Sequence, residues 1–111
     1  MATLATQNVS LTGLSPAYTT AAGGGDKFRP RPDTFLHVVN GSGGSITVTV
    51  DSKRPSDYGT DVNIAVAVPA GQERMIGPFD PGRFAGAGGL ADVSYSGVTS
   101  LTVAVIRIPG A

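Results

Sequence analysis

The chain has no cysteine and no tryptophan, a single histidine (His37) and only two lysines, Lys27 and Lys53. Without cysteine there is no disulfide staple and no thiolate to act as nucleophile or soft metal ligand. With one histidine there is no histidine set for zinc, and the serines have only one imidazole to serve as a base. Charged residues make up just 14% of the 111 positions, eight basic against eight acidic, so no broad basic field exists to hold nucleic acid. No apolar run approaches the ~20 residues of a membrane helix. Residues Met1 to Gln7 carry neither the positive nor the apolar stretch of a signal peptide. No long window spaces its apolar residues by three and four, which excludes a substantial helix. The expectation is a soluble chain made in the cytoplasm, with neither cofactor nor metal and no enzymatic activity.

Hydrophobic residues reach 41%, enough for one core in a single domain of this length. Thr34 to Asn40 is rich in aromatic and β-branched residues. Ser45 to Asp51 alternates, with Ile46, Val48 and Val50 on one face and Thr47 and Thr49 on the other. Val62, Ile64, Val66 and Val68 form the next apolar face, Glu73 to Ile76 a short strand, and Leu90 to Tyr95 and Val98 to Ile108 the last two. Between them lie turn compositions: Asn40-Gly41-Ser42-Gly43-Gly44, Pro69-Ala70-Gly71-Gln72, Asp80-Pro81-Gly82 and Gly86-Ala87-Gly88-Gly89. Ser52 to Thr60 reads as a longer polar loop, and Ser96-Gly97 as a tight hairpin turn. Short strands at this spacing point to an all-β fold, a single β-sandwich or jelly-roll-like domain over residues 34 to 111. Leu101 to Ile106 is apolar on both faces apart from Thr102, so it is either central or covered by another subunit.

Residues 1 to 33 differ. They are rich in Thr, Ala and Gly, and close on Arg29-Pro30-Arg31-Pro32, with room for one short strand at Val9 to Leu14. Leu4, Val9, Leu11, Leu14, Tyr18 and Phe28 would be wasted on a free tail, so an ordered, extended N-terminal arm lying on a neighbour is expected. Low charge points the same way, because self-repulsion is what keeps proteins apart.

Chemistry is sparse. Asp57 and Asp61 flank a loop but lack the spacing of a calcium loop. The glycine run at 86 to 89 lacks the Lys-Ser/Thr of a phosphate loop. His37, beside Phe35 and Val39, reads as a residue at the edge of the core.

Thr34-Phe35-Leu36-His37-Val38-Val39-Asn40-Gly41, taken with Val68-Pro69-Ala70-Gly71-Gln72-Glu73-Arg74-Met75-Ile76-Gly77-Pro78-Phe79, resembles small virion structural proteins of actinobacterial tailed bacteriophages. The resemblance spans roughly residues 27 to 108, including a terminal hairpin at Asp92 to Ile108. It implies a capsid decoration (cement) protein that binds the major capsid protein shell and stabilises the head. A tail or head–tail connector subunit is the alternative, and a carbohydrate-binding sandwich a more distant one, disfavoured by the lack of aromatic platforms. On this reading the chain forms a homo-oligomer on the capsid surface, such as a trimer. Leu11, Leu14, Tyr18 and Phe28 would touch a neighbouring chain, and Arg29, Arg31 and Arg74 would pair with acidic groups on the shell.

Overall fold

A computed structural model of the chain describes residues 3–52 and 63–108. Its strands follow the period-two alternation. In β5 (Ile46–Val50), Ile46, Val48 and Val50 are buried and the two threonines only half-buried, as in a strand with one face on a core. β4 (Thr34–Asn40) buries Leu36 and Val38, and β9 (Leu101–Arg107) buries Leu101, Val103 and Val105. β6 (Ile64–Val68), β7 (Glu73–Ile76) and β8 (Ala91–Tyr95) lie between them in the chain. Three shorter strands precede these: β1 (Thr6–Asn8), β2 (Thr19–Thr20) and β3 (Asp26–Phe28). A single helical turn, α1 (Pro81–Phe84), begins where the Asp80 carboxylate accepts from the Gly82 N–H, with proline at its favoured first position. It drops Phe84 edge-on against Phe79, which packs in the same way on Phe28.

The strands form two packed sheets. One runs β1–β9–β4–β7, with β2 sharing the β9 edge beside β1; the other runs β3–β8–β5–β6. Leu36, Val38, Val103 and Val105 from the first sheet join Val48, Val50, Val68 and Val93 from the second in one core. Each such side chain contributes roughly 1.5–3 kcal/mol before ordering costs. β9 is central: β4 pairs with all of it on one side, while β1 (parallel) and β2 (antiparallel) share the other. Centrality explains its two apolar faces, since the outward Ala104 and Ile106 are also buried.

Several expectations are overturned. Ser96-Gly97 does not turn a hairpin, because β8 and β9 lie in different sheets. The Ser96 N–H instead donates to the Thr47 carbonyl, and Ser96 Oγ accepts from the Thr47 N–H. The connector after Asn40 likewise crosses between sheets. Buried Asn40 organises it, donating from Nδ2 to the Gly44 and Val68 carbonyls and accepting at Oδ1 from the Ser42 N–H. Turn chemistry is the same for a hairpin and a crossing, so composition cannot tell them apart.

Part of the N-terminal segment is built into the domain itself, supplying β1 and β2 to one sheet and β3 to the other. Leu4 and Phe28 sit in the chain's own core, which is where their apolar surface is spent. Phe28 is 0% exposed, so it is withdrawn as a partner contact. Asp26, also buried, accepts from the Tyr95 hydroxyl at 2.8 Å and the Ala22 N–H at 3.2 Å. Burial pushes the Tyr95 hydroxyl far above its usual pKa, and the hydrogen bond to Asp26 adds to the rise. Val9 to Leu14 is a turn-containing loop, the strand lying earlier at β1. Ile64 and Val66 are only half-buried, though Val68 is fully so. Asp57, Asp61, Val62 and most of the polar loop lie outside the described residues.

Candidate interaction surface

The first charged side chain of the sequence is Asp26. Every side chain before it can be covered by a neighbour without desolvating an ion, the costliest part of forming an interface. Gln7 clasps this segment: its Nε2 donates to the Ala17 carbonyl at 2.7 Å and its Oε1 accepts from the Ala17 N–H at 2.8 Å. Inside the clasp the Gly13 N–H donates to the Ser10 carbonyl at 3.0 Å, with Gly13 at φ 93°, a conformation glycine adopts without strain. Leu11 stands at this turn, fully exposed (108%). Leu14 is half-buried, and Val9 is exposed.

Tyr18 follows the clasp and lies over the outer face of the β9-containing sheet, edge-on to His37 with ring centroids 5.4 Å apart. The Tyr18 hydroxyl is 2.6 Å from His37 Nδ1, and His37 Nε2 is 2.9 Å from the Glu73 carboxylate on β7. In the neutral ring these partners assign the tautomer: Nε2–H donates to the carboxylate and Nδ1 accepts from the hydroxyl. Hydroxyl, imidazole and carboxylate in series also make a nucleophile relay. Neither of the two grooves described is lined by Tyr18 or His37 themselves, although Ala17, Thr19 and Ala104, their neighbours in the chain and the ladder, line one of them beside the series. The effect of the series is to pin Tyr18, and with it the uncharged segment, to the sheet. Among the described residues no three His, Asp or Glu side chains gather as metal ligands.

On the same outer face a groove of about 330 Å³ is lined by Pro32, Phe35, Met75, Gly77, Pro78 and Ile108. Met75 is 67% exposed and Ile108 45%. Glycine is required at 77, where φ is 146° and a Cβ would come within 2.9 Å of the Phe35 Cβ. Sequence reasoning missed this groove, although the period of two along β7 and β9 is the signal that places Met75 and Ile108 on the outward face.

The sequence candidates divide. Leu11, Tyr18, Arg29 and Arg31 are exposed, Leu14 and Arg74 half-buried, and Phe28 internal. Arg29 and Arg31 lie on the link from β3 to β4, where the Arg31 carbonyl accepts from the Thr34 and Phe79 N–H groups. Arg74 lies opposite core-facing Val38 at the sheet edge, and its guanidinium donates to the Glu73 carbonyl and the Gln72 side chain. An inward-pointing charge there guards an edge strand against pairing. Comparison with protein-family models, curated proteins and solved structures finds no match to this chain.

Proposed function

We propose that the chain is a non-catalytic structural subunit, needing no cofactor, that coats the capsid of a tailed bacteriophage by binding the major capsid protein shell. The observation that carries this reading is the uncharged N-terminal segment, clasped by Gln7 and presenting Leu11 wholly to solvent. An exposed leucine on an ordered turn is a contact in waiting, and Tyr18, Leu14, Arg29 and Arg31 extend it. Two further features support the reading. One is the resemblance at residues 34 to 41 and 68 to 79. The other is strand order: with β1 set aside, β2–β9–β4–β7 faces β3–β8–β5–β6 with every neighbouring pair antiparallel. This order supports the reading as a jelly roll, an architecture recurring in viral capsid domains and in lectins. Fold alone does not give function, so the test lies with the particle.

In purified virions the protein should approach the shell protein in abundance, where a connector would be far scarcer. Removing residues 1 to 31 is an unsuitable test, since it strips three strands and Leu4 and Phe28 from the core. Leu11→Ser in the full chain is the suitable variant, because it leaves the fold untouched and is expected to lower binding to undecorated capsids. Equal binding by Leu11→Ser rejects the contact, and absence of the protein from virions rejects decoration.

A further inference from the structure

A sheet edge exposes unpaired N–H and C=O groups, and natural proteins guard such edges with charge, proline, short length or cover. Among the described residues every edge but one is guarded. β3 is short and covered by the chain itself: Thr3 bridges Lys27, and the Leu4 N–H donates to the Lys27 carbonyl at 2.7 Å. β7 carries Glu73 and Arg74 and stops at Gly77-Pro78. β1 and β2 are three and two residues long. β6 has none of these devices: Ile64-Ala65-Val66-Ala67-Val68 holds no charge and no proline, and pairs with β5 without a bulge.

The free groups on this edge can be assigned. The Asp51 N–H donates to the Asp92 carbonyl and the Ser96 N–H to the Thr47 carbonyl, so Thr47 and Asp51 turn their backbone groups toward β8. By the period of two, Ile46, Val48 and Val50 turn theirs toward β6. Their partners are Val68, Val66 and Ile64. The N–H and C=O groups of Ala65 and Ala67 therefore point away from the sheet, and both alanines are exposed. The inward Ile64 and Val66 remain half-buried, because nothing among the described residues closes the core on that side.

We propose that β6 is a homodimerisation edge, pairing antiparallel with β6 of a second copy about a two-fold axis through Val66. In that register Ala65 lies opposite Ala67 of the second copy, so each outward N–H meets an outward C=O. Val66 meets its counterpart at a non-hydrogen-bonded position, where side chains approach most closely, and both Ile64 and Val66 gain cover. A second copy suits the edge because the strand is complementary to itself and, lacking charge, offers a foreign strand nothing to select. A two-fold contact is also the closed one available: a head-to-tail ring such as a trimer would need β6 to pair with a different edge, and the others are short, charged or, at β3, already occupied by Thr3 and Leu4. The inference names the self-contact within the assembly reading but rests on the strand edge alone.

Sedimentation equilibrium of the full chain should show a concentration-dependent dimer. Ala67→Pro removes an outward N–H that the monomer does not use, as proline at an edge strand is tolerated, and should raise the dimer dissociation constant at least tenfold. Val66→Cys provides a second readout in a chain with no other cysteine: oxidation should link two copies far faster than it links Thr99→Cys, on an exposed turn. A wild-type chain that is monomeric throughout, an undiminished dimer in Ala67→Pro, or Val66→Cys cross-linking no faster than Thr99→Cys overturns the proposal. Capsid binding is read separately, so failure here leaves decoration standing, and failure there leaves the dimer standing.

Discussion

The tripeptide Val-Ala-Val occurs twice, at 66 to 68 in β6 and at 103 to 105 in β9, and the two copies have opposite fates. In both, the valines face the core and the alanine faces out. In β9 all three are buried, at 0%, 2% and 0% exposed; in β6 only Val68 is fully buried, Val66 is half-buried and Ala67 exposed. The difference is pairing. β9 has strands along both edges and the uncharged N-terminal segment beside it, whereas among the described residues β6 has β5 on one side only. Local sequence makes a strand, and neighbours decide whether it is an interior.

The sharpest way to break this comparison is to place a charge at equivalent positions. Val103→Asp puts an unpaired carboxylate in the closed core and should cost more than about 4 kcal/mol, enough to abolish soluble folding. Val66→Asp can turn its carboxylate to water at the open edge and should cost about 1–2 kcal/mol, measured by denaturant unfolding. Comparable losses from the two would mean that β6 is closed as well.

The N-terminal segment offers a second contrast, between its core residue and its exposed one. Phe28→Ala should cost about 3–5 kcal/mol through the cavity left beside Phe79. Leu11→Ala should change stability by no more than about 0.5 kcal/mol. A small effect at Phe28 would restore the reading of an extended arm whose apolar residues lie on a neighbour.

Tyr95 tests how β3 and β8 are tied together. Its hydroxyl is held far above the ordinary 10.0 by burial first and by the bond to Asp26 second. In the unfolded chain it ionises near the ordinary value. The stability this contributes is therefore fully present below pH 10 and lost as pH rises beyond it. Tyr95→Phe should remove that alkaline slope and, by taking a donor from buried Asp26, cost about 1–2 kcal/mol at neutral pH. An unchanged slope in the variant would place the alkaline sensitivity elsewhere.

Much of this fold is legible in the residues. The alternation at 46 to 50 and the apolar run at 101 to 106 give strands of the right kind in nearly the right places. Pairing is not legible in the same way. Ser96-Gly97 and Asn40-Gly41 carry turn chemistry that serves a sheet crossing as well as a hairpin, and only the partner strand, distant in sequence, distinguishes them. The N-terminal segment misleads for a related reason: its glycines and prolines exclude long elements, yet strands of two or three residues still close an edge. The surface was half legible. Leu11 and Tyr18 stand out as apolar residues in a polar stretch, while the importance of Ala65 and Ala67 lies in backbone groups, on which side chains are silent.

Backbone amides therefore provide the most direct measurement. Hydrogen exchange at single-residue resolution compares the Ala104 amide, directed into the β4 ladder, with the Ala67 amide on the open edge of β6. We expect Ala104 to exchange only through global unfolding, and Ala67 to exchange freely in dilute protein and gain protection as concentration rises. An Ala67 amide protected equally at every concentration would mean that the edge is closed within one chain, and one that never gains protection would mean that no second copy pairs there.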